Sequence, residues 1–267
     1  MKDGHIHTPF CPHGSKDSFE QYIERAIELG YTEISFTEHA PLPLTFTDPT
    51  PNQDSAMKMS DLDNYLFTVN ELKKQYANDI TINVGLEIDF IIGYEDETAR
   101  MLEEIGSHLD DSILSVHFLN YNNEYFCLDY SSEMFAKIVH TFGSVTSVYE
   151  TYYNTLLRAV TANLGRHKPK RIGHITLIHK FQKKFPCLKP MNDHIIHILN
   201  EMKKHDLEID YNGAGVNKPL CQEPYPPNWV IKEAIERNIR IVYGSDAHCA
   251  KDLHQGMDMM MKEALSI

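Results

Sequence analysis

Short apolar runs alternate with helix-like stretches along almost the whole chain. Residues 81–89 form a β-prone run, whereas residues 61–77 carry apolar side chains at helical spacing. The same alternation predicts seven strands, near residues 5–7, 32–39, 81–89, 112–118, 171–174, 207–212 and 239–248. It predicts helices over residues 18–30, 61–77, 97–109, 133–164 with a break at Gly143, 192–205, 228–237 and 253–265.

Strands that alternate with helices favour a parallel α/β architecture. No linker of distinct composition divides the 267 residues. We therefore predict a single α/β domain over residues 1–267, built as a seven-unit βα barrel. The proline-rich segment at residues 41–60 is predicted to be a loop that acts as a lid or contributes to substrate selection.

The first helix carries recognisable end signals. Ser18 precedes its apolar stripe and Gln21 follows three positions later, which is the spacing of a capping box. Gly30 is placed to end the helix, because glycine readily adopts the left-handed conformation found after a helix C-terminus.

Six of the seven predicted strands end in histidine, glutamate or aspartate. The carboxyl ends of parallel strands form the open end of such a barrel, so these side chains are expected at one site. His5 and His7 are two positions apart, and on a strand they leave from the same face. Pro9 and Pro12 turn the chain back, which can bring His13 to the same place. The candidate metal ligands are His5, His7, His13, His39, Glu87, His117, His174, Asp246 and His248.

Nine candidate ligands are more than one ion needs, since a zinc ion usually takes three or four protein ligands plus water. The set therefore favours two or three divalent metal ions. Glu87 is the natural bridge, because a carboxylate can give one oxygen to each of two ions. Paired metal ions stabilise both the attacking and the leaving oxygens in phosphoester hydrolysis, so this chemistry is the expected one.

The charge of the chain narrows the choice of partners. It carries 38 acidic and 25 basic residues, a formal net charge of −13. This balance argues against binding to a nucleic-acid backbone or an anionic membrane, and is compatible with a site rich in carboxylates that hold metal cations. The expected partner is a small phosphate monoester substrate rather than a nucleic acid. No apolar run of membrane-spanning length and no secretory leader is evident, so a cytoplasmic location is expected. Five scattered cysteines indicate neither a disulfide framework nor a structural zinc site.

The candidate ligands lie in motifs whose order and spacing extend over most of the chain. The motifs are His5-x-His7, Cys11-Pro12-His13-Gly14, Thr37-Glu38-His39, Gly85-Leu86-Glu87, Ser115-Val116-His117, Gly173-His174 and Gly244-Ser245-Asp246-Ala247-His248. This set closely resembles the polymerase and histidinol phosphatase (PHP) family. Residues 171–177 and 211–226 make the chain similar to the stand-alone L-histidinol-phosphate phosphatases of that family.

The resemblance implies a distorted barrel with three metal ions at its mouth. One ion would take His5, His7, Glu87 and Asp246, a second Glu87, His117 and His174, and a third His13, His39 and His248. Zinc, manganese and iron are the metals that the family implies. The implied reaction is hydrolysis of L-histidinol phosphate by a metal-bridging hydroxide, with Glu87, Asp246 and His248 as catalytic residues. The proton donor to the leaving alkoxide stays open between a metal-bound water, Asp246 and a nearby histidine.

Three other functions fit part of this pattern. A nuclease or nucleotide phosphatase of the same family would use the same metal core on another phosphoester. An amidohydrolase also begins with His-x-His on a first barrel strand, but its bridging lysine has no counterpart here and His13 would be superfluous. A non-catalytic metal-binding interaction module is the third alternative, and the complete ligand set speaks against it.

Two lysines are candidate substrate-binding residues. Lys180 follows His174 by six positions and can reach a phosphate oxygen, although Lys183 and Lys184 nearby also fit a solvated surface cluster. Lys218 is a weaker candidate of the same kind. Glu38 and Asp89 flank candidate ligands and are expected to support them rather than to act in catalysis. Cys11 and Cys249 also lie beside ligands and are expected to be small lining residues.

Overall fold

The computed structural model describes residues 1–265 and contains nine strands and eight α-helices within them. The strands are β1 (Lys2–Ile6), β2 (Glu33–His39), β3 (Thr81–Asp89), β4 (Asp111–Ser115), β5 (Phe118–Tyr121), β6 (Glu124–Cys127), β7 (Arg171–Ile172), β8 (Glu208–Asn212) and β9 (Ile241–Gly244). The helices are α1 (Phe19–Glu28), α2 (Leu62–Gln75), α3 (Glu95–Ile105), α4 (Ser132–Phe142), α5 (Val145–Thr161), α6 (Asn192–Lys204), α7 (Ala214–Asn217) and α8 (Asn228–Glu236). In residues 1–265, no helix is long and apolar enough to cross a membrane.

Seven parallel strands form one sheet, in the order β1-β2-β3-β4-β7-β8-β9. The two edge strands come together where Ile6 pairs with Ala247, and the His7 amide donates to the Ala247 carbonyl at 3.0 Å. The Asp246 amide donates to the His5 carbonyl at 2.7 Å. The sheet is therefore a nearly closed barrel, and the prediction of a seven-stranded α/β barrel is confirmed.

The local signals at the predicted helix ends act as expected. The Ser18 hydroxyl accepts from the Gln21 amide and the Gln21 side chain accepts from the Ser18 amide, which completes the capping box of α1. Gly30 has a φ of +81° just after α1, and Gly143 has a φ of +84° between α4 and α5. The predicted break at Gly143 therefore divides the long helical region in two.

A hairpin between β4 and α4 was absent from the sequence prediction. The predicted strand near residues 112–118 ends at Ser115, and the chain then forms the antiparallel pair β5 and β6. Asn122 and Asn123 both have positive φ, as a two-residue hairpin turn of the primed types requires. Phe118 from this hairpin packs against Phe46, which fixes the 41–60 loop to the barrel rim.

The predicted C-terminal helix at residues 253–265 is wrong. The chain there forms short 3₁₀ turns at Met257–Met259 and Lys262–Ala264. His254 and Gly256 have φ values of +70° and +76°, which no right-handed helix can contain. Gly256 also lies so close to Gly213 that an added Cβ would be 2.5 Å from the Gly213 carbonyl oxygen. The close approach of these two backbones overrides the amphipathic spacing of the segment.

The amino-terminal end of the barrel contains a charge network formed by Lys2, Glu33, Asp111 and Arg171, in which Arg171 is buried and Glu33 is partly exposed. The Arg171 guanidinium is almost fully buried and donates to Asp111 Oδ2 and to the Gly4 carbonyl, both at 2.8 Å. Lys2 Nζ lies 3.1 Å from Asp111 Oδ2 and 3.0 Å from Glu33 Oε1. Burial opposes ionisation of Asp111, but Arg171 and Lys2 outweigh it and lower the pKa of this carboxyl to about 2.

Candidate metal centre and active site

All nine predicted ligands lie at the carboxyl end of the barrel. Seven of them line a cavity of about 340 Å³: His13, His39, Glu87, His117, His174, Asp246 and His248. His5 and His7 are fully buried and approach Glu87 from inside the barrel. The strand ends therefore converge on one place, as the sequence pattern predicts.

Glu87 stands at the centre of the cluster, with its two oxygens turned towards different histidines. Oε2 lies 3.4 Å from His5 Nε2, 3.5 Å from His7 Nε2 and 3.1 Å from His39 Nδ1. Oε1 lies 2.9 Å from His174 Nε2, and the Ser115 hydroxyl also donates to it at 2.6 Å. His117 Nε2 is 3.7 Å from the same oxygen. One carboxylate thus joins two groups of imidazoles, as expected of a bridging ligand.

Carboxylates behind the histidines fix the orientation of three rings. The Nδ1 atoms of His5 and His117 donate to Asp210 Oδ2 at 2.9 Å and to Asp89 Oδ1 at 2.8 Å. The Nδ1 atom of His7 donates to Glu38 Oε1 at 3.2 Å. Each bond leaves Nε2 pointed at Glu87, in the geometry by which carboxylates orient metal-ligating histidines. Glu38 and Asp89 have the supporting positions expected from the sequence.

Asp210 was not singled out by the sequence, because it lies in the middle of β8 rather than at a strand end. The alternation of side chains along a strand could have identified it, since alternation places Asp210 and Asn212 on the same face of β8. Gly244 makes room for this carboxylate in the barrel. A Cβ at that position would lie 2.4 Å from Asp210 Oδ1 and 2.6 Å from the His5 Cβ. This explains the glycine of the Gly244-Ser245-Asp246 motif.

Asp246 and His248 complete the wall beside His7. Asp246 Oδ1 lies 3.1 Å from His7 Nε2 and 3.8 Å from His5 Nε2. The backbone of Asp246 is left-handed, with a φ of +53°, which turns the chain across the barrel mouth. His248 Nδ1 donates to the Asp246 carbonyl at 3.1 Å, and its ring stacks on that of His7 at a centroid distance of 4.0 Å.

The third predicted group and the cluster found in the structure share His39 and His248 but differ in their other members. Donor atoms of His7, Cys11, His39 and His248 lie within 4.8 Å of one another, so the Cys11 thiol belongs to a group in which the resemblance implied His13. Burial raises the pKa of this thiol well above its usual value. His13 is exposed, and its ring centroid is 5.1 Å from those of His39 and His248. Its Nδ1 donates to the Asp54 carbonyl at 2.8 Å, which leaves Nε2 free.

The cluster contains buried polar atoms without hydrogen-bond partners in residues 1–265: His5 Nε2, His7 Nε2, His39 Nδ1, Glu87 Oε2 and His174 Nδ1. Buried polar atoms are normally satisfied, so four unpartnered imidazole nitrogens around the Glu87 carboxylate, together with its own Oε2, indicate a place for a ligand. Nitrogen and carboxylate oxygen donors in this number fit divalent metal ions. The groups His5, His7, Glu87 and Glu87, His117, His174 each bring three donor atoms within 4.8 Å of one another.

The electrostatics around His7 and His117 favour added positive charge, whereas burial and the neighbouring His7 lower the pKa values of His39 and His248. Burial opposes protonation of His7, but Asp246 and Glu38 outweigh it and raise the pKa of His7 to about 9. For His117, burial is likewise outweighed by Asp89 and Glu87, and its pKa rises to about 10. Protons and metal ions compete for such nitrogens, so the carboxylates that attract the protons would also attract the metals.

Lys180 and Lys218 both line the cavity. Lys180 Nζ lies 2.9 Å from Asp129 Oδ2, and both side chains are 21% exposed, so Lys180 is not the solvated surface lysine of the alternative interpretation. Lys218 is exposed, and no ion pair of its ammonium occurs in residues 1–265. The 41–60 loop contributes Thr50, Asp54 and Ser55 to the cavity wall. Asp129, like Asp210, was missed from the sequence, because it follows the hairpin that was not predicted.

Comparisons with known proteins agree with this arrangement. The chain is 46% identical to a histidinol-phosphatase of Bacillus subtilis over 94% of this chain and 95% of that protein. A crystal structure of a proposed histidinol phosphatase from Listeria monocytogenes matches with a TM-score of 0.92 and 39% identity, over 98% of this chain and all of the other. The fold is also that of a Lactococcus lactis histidinol phosphate phosphatase, solved with zinc, L-histidinol and phosphate. That match has a TM-score of 0.71 and 19% identity over 98% and 93% of the two chains.

The family comparison covers most of the barrel. Residues 3–214 match the PHP domain, and they include β1 through β8 with seven of the nine predicted ligands. Asp246 and His248 follow on the last turn of the barrel, where the structure places them against His7. The chain therefore belongs to the PHP domain family.

Proposed function

We propose that this protein is a metal-dependent phosphatase that hydrolyses L-histidinol phosphate to L-histidinol and phosphate, a step of histidine biosynthesis. The observation that carries the proposal is the convergence of buried, unpartnered histidine and carboxylate atoms on Glu87 at the base of a cavity. The substrate is supported by the 46% identity to the Bacillus subtilis histidinol-phosphatase, which extends over nearly the full length of both proteins.

The proposed cofactors are two or three divalent metal ions, zinc, manganese or iron. The residues that would hold them are His5, His7, Glu87 and Asp246 in one group, Glu87, His117 and His174 in a second, and His13, His39 and His248 in a third. When bound, such ions neutralise phosphoryl charge and supply a hydroxide nucleophile at neutral pH. The chain itself holds the ligand atoms in place through Asp210, Glu38 and Asp89.

The proposed catalytic residues are Glu87, Asp246 and His248, which lie on one side of the cavity. Lys180 is proposed to bind a phosphate oxygen of the substrate. Its ammonium lies in the cavity wall, and Asp129 keeps it in place through an ion pair of 2.9 Å. Burial opposes protonation of Lys180, but Asp129 outweighs it and raises the pKa, so the ammonium stays charged throughout the neutral range. Lys218 is proposed as a second phosphate contact at the outer rim.

The test is a comparison of substrates on protein whose metal content is counted in the same preparation. Phosphate release would be measured from L-histidinol phosphate, from a nucleoside monophosphate and from a short single-stranded DNA. We expect a strong preference for L-histidinol phosphate with two or three metal ions per chain. Preference for the nucleotide or DNA would retain the metal centre and overturn the substrate. No turnover at full metal occupancy would indicate a non-catalytic module.

A further inference from the structure

The carboxylates around the cavity differ in whether a cationic partner already balances them. Five line it: Asp54, Glu87, Asp89, Asp129 and Asp246. Glu87, Asp89 and Asp246 face histidines of the proposed metal centre, and Asp129 is paired with Lys180. Asp54 alone among the five makes no ion pair with a side chain in residues 1–265.

The hydrogen bonds of Asp54 hold its carboxylate in place without neutralising it. Thr50 Oγ1 donates to Oδ1 at 3.5 Å and Asn52 Nδ2 donates to Oδ2 at 3.4 Å, and both donors are uncharged. Asn52 Nδ2 also donates to the Tyr130 hydroxyl at 3.2 Å, which ties this part of the loop to the opposite side of the rim. No cationic side chain of residues 1–265 is therefore paired with this carboxylate, and it has acceptor capacity left for a ligand.

Asp54 is also close to the place where the phosphate must be hydrolysed. Its carbonyl accepts from His13 Nδ1 at 2.8 Å, and the His13 ring is 5.1 Å from the rings of His39 and His248. Asp54 is thus separated from the proposed metal centre by a single imidazole. A substrate whose phosphoryl group lies against that centre would place its next substituents beside Asp54.

We infer that the Asp54 carboxylate is a specificity-determining residue that binds the α-ammonium group of L-histidinol phosphate. This inference rests on the proposed function. In that substrate the ammonium is on the carbon adjacent to the ester carbon, so a cation lies close to the phosphate. Of the carboxylates that line the cavity, Asp54 is the one without a cationic partner. The 41–60 loop thereby contributes the contact that separates this amino-alcohol phosphate from uncharged phosphate esters.

The test compares two substrates on two variants. The substrates are L-histidinol phosphate and its desamino analogue, which keeps the imidazole and the phosphate. We expect Asp54→Asn to lower kcat/KM for L-histidinol phosphate by about 10- to 100-fold, mainly through KM, because a charge-assisted hydrogen bond is lost. The desamino analogue should be hydrolysed equally well by the wild type and by this variant. Asp63→Asn removes one exposed charge from α2, which does not line the cavity, and should leave kcat/KM unchanged for both substrates.

Two further measurements distinguish direct binding of the ammonium group by Asp54 from an indirect effect on the metal centre. They are the metal content of Asp54→Asn and the activity of a conservative variant. Asp54→Asn should retain the wild-type number of metal ions per chain, and Asp54→Glu should recover part of the lost kcat/KM. An equal loss on both substrates would show that Asp54 acts through His13 or the loop, and would overturn the inference while leaving the proposed function intact. If the wild type prefers nucleotides or p-nitrophenyl phosphate over L-histidinol phosphate, both the proposed function and this inference fail.

Discussion

The two ends of the barrel both contain buried charged residues, but they satisfy them in different ways. At the amino-terminal end, Arg171 and Lys2 lie against Asp111, so opposite charges balance within the chain, although Arg171 Nε and Nη1 have no hydrogen-bond partner in residues 1–265. At the carboxyl end, imidazoles turn nitrogen atoms towards Glu87, and three of these nitrogens, His5 Nε2, His7 Nε2 and His39 Nδ1, have no hydrogen-bond partner in residues 1–265. Internal pairing supports the fold, whereas unpartnered nitrogens around one carboxylate indicate a place for a bound ligand. The buried charged residues therefore stabilise the fold at the amino-terminal end, and at the carboxyl end they form the proposed metal centre.

The largest expected effect is at the carboxyl end. Glu87→Gln removes the charge that faces both groups of imidazoles, so kcat/KM for phosphate release should fall by about a thousandfold or more. The count of bound metal ions per chain should fall with it. Urea unfolding should show that the variant still folds, because the charge network at the other end is unchanged.

Glu20→Gln, on the exposed side of α1, serves as a matched control and should keep wild-type kinetics. Near-wild-type turnover of Glu87→Gln, with its metal ions retained, would contradict the bridging assignment.

The second effect is at the amino-terminal end and concerns stability. Arg171→Met keeps most of the side-chain volume but leaves Asp111 buried with only Lys2 beside it, so the free energy of unfolding should fall by about 3 kcal/mol. Urea unfolding followed by circular dichroism measures this loss. Arg166→Met breaks an exposed pair with Glu103 and should change the free energy of unfolding by less than about 1 kcal/mol.

If the two arginine variants lose the same stability, the buried network would have no special role. Turnover per metal-loaded Arg171→Met molecule should stay close to wild type, because the guanidinium contacts Asp111 and Gly4 rather than the cavity.

A third variant tests whether Asp210 supports the proposed metal centre at the carboxyl end of the barrel. It accepts from His5 Nδ1 and from the His174 backbone amide, so it touches two proposed ligands without lining the cavity. Asp210→Asn should weaken metal binding or activity by about 10- to 100-fold, as loss of a carboxylate behind a metal-ligating histidine typically does. Metal affinity would be measured by competition with a chelator. A loss of stability with unchanged metal affinity would place Asp210 with the structural network instead.

The sequence predicted some residues of the candidate site and missed others. Candidate ligands such as His39 and Glu87 were identified because they lie at or near strand ends, where periodicity and chemistry coincide. Asp210 was missed because it reaches His5 of β1 past Gly244 of β9, and β1 and β9 come together only on closure of the sheet. The Cys11 thiol lies near the donor atoms of His7, His39 and His248 because of the conformation of the turn at residues 7–14. Single-chain periodicity contains none of this long-range information.

The misassigned elements have a similar cause. The β5–β6 hairpin depends on left-handed backbone at Asn122 and Asn123, and the C-terminal turns depend on the same conformation at His254 and Gly256. Asparagine and glycine permit this conformation but do not require it. The close contact between Gly213 and Gly256 prevents a C-terminal helix, and this tertiary contact cannot be read from local sequence.

The smallest expected effect is the acid dependence of the amino-terminal network. The pKa of Asp111 is lowered from its ordinary value of 3.8 to about 2, because Arg171 and Lys2 outweigh the cost of its burial. A carboxyl with a depressed pKa stabilises the fold above its unfolded pKa, and this contribution is lost as the pH falls towards the folded value. The contribution is at most about 2 kcal/mol. Urea unfolding of the wild type and of Asp111→Asn would therefore be compared from about pH 5 downwards. The stability gap should be constant near pH 5 and should narrow between about pH 4 and pH 2. A gap that does not change with pH would mean that Asp111 contributes through its hydrogen bonds to Ser35 and to the backbone rather than through its charge.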